Sequence, residues 1–226
     1  GDLYGMHWPF KQHKTSRNIK TLPHHDNLKS FGACFGVSGG YERPMWFALD
    51  GEKTEYEYSY NYQNWYPSAE YETNNTIRNV GLFDLTPFSK FEIKSDKAHK
   101  ELQKICTANI KDQVGKCTYT NMLNPDGGIE TDLTVVCIDI NHFWIISSAV
   151  SRERDKFHIK KYLSNDIELK DVTDDFCVFG IFGPKSRALM KLISKNDFEN
   201  DNFKFGTGKY ITIEGIKCWA QRLSYV

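Results

Sequence analysis

Two rhythms of apolar and polar positions run along the chain. From Leu133 to Ile140 the residues are β-branched and apolar, the pattern of a buried strand. His142 to Ser147 reads as a second strand, returning in a hairpin through Asp139 to Asn141. Gly81 to Ile93 reads as one strand, Asp175 to Gly183 as a buried strand, and Tyr210 to Val226 as a hairpin turning at Glu214-Gly215. Alternation from Glu55 to Tyr62 suits an edge strand. The helical rhythm appears elsewhere. Asp96 to Asn109 sets Ala98, Leu102, Ile105 and Cys106 on one face with lysines opposite. Helices are also expected near Glu70 to Val80, from Ser151 to Leu163, from Pro184 to Ser194 and, capped by Asp26, from Asp26 to Phe31. Two-strand units alternating with helices predict an α+β fold of mixed and antiparallel sheets with packed helices.

Between two strand-like runs lies Asn124-Pro125-Asp126-Gly127-Gly128, dense in turn formers. Asp132 sits at the mouth of the strand that follows. A carboxylate there either bonds the amides of its own turn or is held on a rigid element and aimed into a cavity. The local pattern leaves both readings open. Asp84 poses the same choice, and the turn role is favoured because such an Asp readily bonds backbone amides.

Composition narrows the function classes. Lys+Arg and Asp+Glu are both 29, so no basic surplus points to nucleic acid. No 18-residue apolar run suggests a membrane span. The tyrosines between Tyr56 and Tyr71 lack the interleaved Lys and Arg of a base-stacking platform and read as an inter-domain surface. Cys137, Cys177 and Cys218 read as small core residues, and no C-x-x-C pair occurs. His24 and His25 are adjacent on a loop with no third ligand nearby, so no metal is expected. Neither Gly-x-Gly-x-x-Gly nor a phosphate loop is present. The basic run Arg152 to Lys161 reads as a solvated helix face rather than a site for an acidic tail.

Gly127-Gly128-Ile129-x-x-Asp132-Leu133-Thr134-Val135 resembles the turn of the aminomethyltransferase (glycine cleavage T-protein) folate-binding family, whose members include the carboxy-terminal halves of dimethylglycine and sarcosine dehydrogenases. Gly32-Ala33-Cys34-Phe35-Gly36 and Gly40-Tyr41-Glu42-Arg43-Pro44-Met45-Trp46-Phe47 are similar to the linker between the flavin and folate halves of those dehydrogenases. The resemblance implies residues 1–50 as a linker segment and 51–226 as the N-terminal part of a folate-binding domain. It implies Asp132 as the carboxylate beside the reactive nitrogens of tetrahydrofolate. It implies a folate-binding set of Tyr119, Asp132, Val135, Ser148 and Tyr225. The family often carries a second Asp where Thr131 stands here, and an Asn where Ser148 stands. Relatives continue past Arg222 to Val226 into a Gly-Glu that holds the pterin ring, so the chain is expected to be a piece of a longer polypeptide.

The implied parent oxidises an N-methyl amine on FAD, held by a flavin domain in cis, and passes the carbon to tetrahydrofolate. The implied location is the cytoplasm, or the mitochondrial matrix in a eukaryote. Two other readings remain: a non-catalytic folate-fold scaffold that shields the flavin domain, and a folate-dependent methyltransferase or demethylase.

Overall fold

The computed structural model describes residues 4–6 and 8–224. The chain forms two compact units, one of residues 1–87 and 179–185, the other of residues 88–178 and 186–226. The expected linker, residues 1–50, lies wholly inside the first.

In the first unit, helix α1 (His25–Ser30) precedes the antiparallel hairpin β1 (Ala33–Ser38) and β2 (Tyr41–Phe47). Asp26 sits in the first turn of α1 and caps nothing: the cap residue is His24, without a side-chain bond. Glu42 is buried and accepts from Arg17 Nε at 2.6 Å, Arg17 Nη2 at 2.8 Å and the Asn18 amide at 2.8 Å. Helix α2 spans Tyr66–Arg78. Residues 55–62 form no strand. Their alternation reflects ring packing instead: Tyr56 stacks on Tyr58 at 5.7 Å and meets Trp46 edge-on at 6.2 Å. Among the described residues this segment belongs to no sheet, so apolar periodicity alone did not make a ladder. Strand β3 (Gly81–Asp84) pairs antiparallel with Phe179–Phe182, the ninth strand, β9. At the corner after it Gly183 takes φ +113°, where an added Cβ would stand 2.5 Å from the carbonyls of Thr76 and Asn79. Only glycine fits there.

The second unit is built on a five-stranded antiparallel sheet. Its strands are β4 (Ser89–Lys94), β5 (Cys117–Leu123), β6 (Ile129–Asp139), β7 (His142–Ser147) and β8 (Leu169–Asp171). The order is β5-β6-β7-β4-β8. The single strand expected over 81–93 is thus two, parted by residues 85–88, where the Thr86 amide donates to Asp84 Oδ1 at 3.0 Å. Asp84 takes the turn role favoured for it.

The period-2 rule sorts the side chains. Phe91, Ile93, Leu133, Val135, Phe143 and Ile145 point to one face, all at most 2% exposed. Helices α3 (Ala98–Ile105) and α4 (Arg152–Tyr162) cover that face, adding Leu102 and Ile159 to one core. The apolar stripe expected on residues 96–109 is the buried one. A second hairpin, β10 (Thr207–Ile213) and β11 (Ile216–Arg222), lays Trp219 against Val136, Ile138 and Trp144 on the other face. Helix α5 (Ser186–Ile193) completes the unit: its Met190 packs on the cluster of Phe198, Phe203 and Ile211. Of the cysteines expected in the core, Cys137 is buried, Cys218 half-buried and Cys177 exposed. Residues 175–178 precede β9 rather than belong to it, which leaves Cys177 outside any packed strand.

Candidate functional site

The Asn124–Gly128 turn closes on itself. Asn124 Oδ1 accepts the amides of Gly128 at 2.8 Å and Asp126 at 3.1 Å, and Gly127 takes φ +82°. Asn124 therefore does the amide-bonding work that was one reading of Asp132. Asp132 stands four residues further on, paired across the ladder with Asn121. Its side chain points to the face opposite the helices. Tyr119, exposed, donates its hydroxyl to Asp132 Oδ2 at 3.2 Å. The carboxylate's charge raises the Tyr119 phenol above its ordinary value and keeps it a neutral donor.

That face is divided. Its far half is apolar and covered by Trp219. Its near half carries Tyr119, Asn121, Asp132 and Thr134, with Asp132 and Tyr119 exposed. Asp132 thus meets solvent on an open sheet surface rather than an enclosed cavity. The two surface hollows lined by Asn18–Lys29 and by Trp65–Asn74 both belong to the first unit, and neither includes it.

The sequence-predicted set is brought together in part. Tyr119 and Asp132 share a hydrogen bond. Ser148, just past β7, is exposed. The β6–β7 register ends at Thr134 and Ile146, two residues short of Ser148. The Ser148 carbonyl takes the Ser89 hydroxyl at 2.9 Å. Val135 points the other way, 1% exposed inside the helix-covered core, so its side chain cannot share a ligand with Asp132. One step along a strand reverses the face. Tyr225 lies outside the described residues.

Two residues that sequence reading missed matter here. Asn121 flanks Asp132 on the open face. Its signal was the cross-strand register, which an isolated strand does not show. Asp155, on α4, is 0% exposed beneath the sheet and accepts from Ser151 Oγ at 2.6 Å and Thr131 Oγ1 at 3.2 Å. Arg154 reaches its other oxygen at 3.3 Å. Thr131 is thus tied to α4 one residue before Asp132, which fixes the strand next to a bulge at Met122/Leu123. Further along the sheet, Lys90 is 2% exposed, and burial pushes its ammonium down to about 8.

The chain belongs to the GCVT N-terminal domain family, whose profile matches residues 24–226. It is 33% identical over 227 residues to a 4-methylaminobutanoate oxidase (formaldehyde-forming) of Paenarthrobacter nicotinovorans, covering 100% of this chain and 28% of that protein. It is 32% identical over 193 residues to the mitochondrial dimethylglycine dehydrogenase of Rattus norvegicus, covering 84% of this chain and 22% of that protein. The chain therefore spans about a quarter of the length of these curated relatives. Its fold is that of the glycine cleavage system aminomethyltransferase T from Bartonella henselae, with a TM-score of 0.68 at 18% identity over 92% of this chain and 51% of that one. The fold expected from sequence is the fold observed, and these two relatives are enzymes, an oxidase and a dehydrogenase by name. No helix among the described residues is long and apolar enough to cross a membrane.

Proposed function

We propose that this chain is the one-carbon-transfer portion of a flavin-dependent N-methylamine dehydrogenase or oxidase, with Asp132 facing the reactive nitrogens of a reduced folate. The observation that carries this reading is the pairing of Asp132 with Tyr119 and Asn121 on one open face of a rigid sheet. The residues suit such a ligand. A carboxylate accepts from basic ring nitrogens, a phenol holds that carboxylate in place, and an amide can meet a cyclic amide.

When bound, a reduced folate supplies two amine nitrogens that take up an oxidised one-carbon unit. Asp132 does two things there. Its negative charge stabilises the cationic carbon as it approaches, and its free oxygen accepts the proton lost when an amine nitrogen bonds that carbon. The Tyr119 hydroxyl occupies Oδ2 and leaves Oδ1 for that proton. The flavin oxidation belongs to residues outside this chain, and the amine substrate and the flavin domain in cis are part of the same proposal.

Asp132→Asn in the full-length protein keeps the shape and removes the charge and the base. Flavin reduction by substrate should persist, while single-turnover capture of the carbon by tetrahydrofolate falls by about a hundredfold, the usual scale for a lost general base. Unchanged capture would remove Asp132 from the chemistry. A second reading has a specific support: the relative matched along the whole chain is formaldehyde-forming by name. In that reading water takes the carbon. Equal formaldehyde release with and without tetrahydrofolate would favour it.

A further inference from the structure

Asn121 and Asp132 are direct cross-strand partners on the open face. Their pairing is the close kind. The Asn121 amide donates to Thr107 Oγ1 at 3.3 Å and its carbonyl accepts the Thr107 amide at 3.0 Å, so both backbone groups point away from β6. In an antiparallel ladder such non-hydrogen-bonded pairs bring the Cα atoms to about 4.5 Å, nearer than hydrogen-bonded pairs, with the side chains side by side. Among the described residues, the side-chain amide of Asn121 bonds nothing, although the residue is half-buried. Asp132 has one oxygen on Tyr119 and the other open. The face thus presents an acceptor-only group and, one strand over, a group with both a donor and an acceptor.

We propose that Asn121 is an orienting residue that hydrogen-bonds the ring carbonyl lying next to the nitrogen served by Asp132. The ligand class is a cyclic amide fused to a ring amine, with oxygen and amine nitrogen on neighbouring positions, as in a 4-oxo reduced pteridine. Asp132 alone would accept from many amines. The Asn121 amide adds a hydrogen-bonding partner at a fixed offset, and so fixes which way round the ring lies. The proposal rests on the folate reading above and names the residue that orients the ring.

The test is anaerobic binding of tetrahydrofolate and of its 4-amino analogue to the full-length protein, measured for wild type, Asn121→Leu and Asn121→Asp. A rotatable amide meets either substituent, so wild type should bind both. Asn121→Leu should weaken both by about tenfold, the loss of one net hydrogen bond. Asn121→Asp, acceptor-only, should shift the ratio of the two dissociation constants by about tenfold toward the 4-amino ligand. That ratio does not depend on the fraction of protein folded. If wild type binds tetrahydrofolate and both variants hold each constant and the ratio within twofold, Asn121 has no such role while the folate reading stands. If wild type binds no tetrahydrofolate, both fall together.

Discussion

Asp155→Ala tests how the open face is held. The carboxylate is 0% exposed and accepts two hydroxyls, from Ser151 at 2.6 Å and Thr131 at 3.2 Å. Its removal leaves Thr131 with the Asp132 carbonyl at 3.3 Å and Ser151 with the Ser148 carbonyl at 3.4 Å, so the loss is two net hydrogen bonds at ~0.5–1.5 kcal/mol each. It also removes an acid from the first turn of α4, worth ~0.3–1 kcal/mol against the helix dipole. The Arg154 partner is more than half exposed and contributes little. The total is about 1–4 kcal/mol of local stability, felt where Thr131 ties β6 to α4. Hydrogen exchange read by mass spectrometry on the full-length protein checks it. Amides in residues 129–135 and in the first turn of α4 should exchange roughly a hundredfold faster, since 1.4 kcal/mol is a factor of ten. Asp155→Asn keeps one acceptor oxygen and should fall between. An Asp155→Ala variant whose exchange in these segments stays within threefold of wild type would refute the tether.

Three further outcomes follow from charge. Side-chain bonding by Arg17 holds the Glu42 carboxyl below its usual range, against the opposing pull of burial. Its stabilisation is therefore full above the unfolded carboxylate value near ~4.3 and is lost as pH falls through the lower folded value. Glu42→Gln should flatten that part of the acid-unfolding curve, and an unaltered acid limb would contradict it. Burial lowers Lys90 to about 8, against an unfolded value near ~10.4, so between these the folded state binds fewer protons and stability rises with pH. Denaturant unfolding of wild type should gain on Lys90→Met from pH 8 to pH 10, by no more than roughly 3 kcal/mol; a constant difference would mean that the ammonium is not desolvated. The Asp132 charge raises the Tyr119 phenol, so Asp132→Asn should move its NMR-detected titration back toward ~10, and no movement would mean the hydrogen bond is not kept in solution.

What the sequence determined by itself was local. Leu133 to Cys137 could only be a buried strand, because its β-branched run has no other place to put that surface. Asn124 to Gly128 could only turn, and the residues from Ala98 to Ile105 carry a helix face in their spacing. Two single residues were also legible locally: a turn Asp84 and a carboxylate at the mouth of β6. What only the tertiary structure decided was everything that depends on a neighbour. The tyrosines of residues 55–62 had the period of a strand, yet among the described residues they join no ladder and pack ring on ring instead. The family resemblance placed Val135 and Asp132 in one site, but a pleated strand sends their side chains to opposite faces. Asn121 lies eleven residues from Asp132 in sequence and directly beside it in the ladder. Periodicity is written along one chain, whereas a site is assembled across strands, and the register that joins them is set by the packed core rather than by any one strand's own residues.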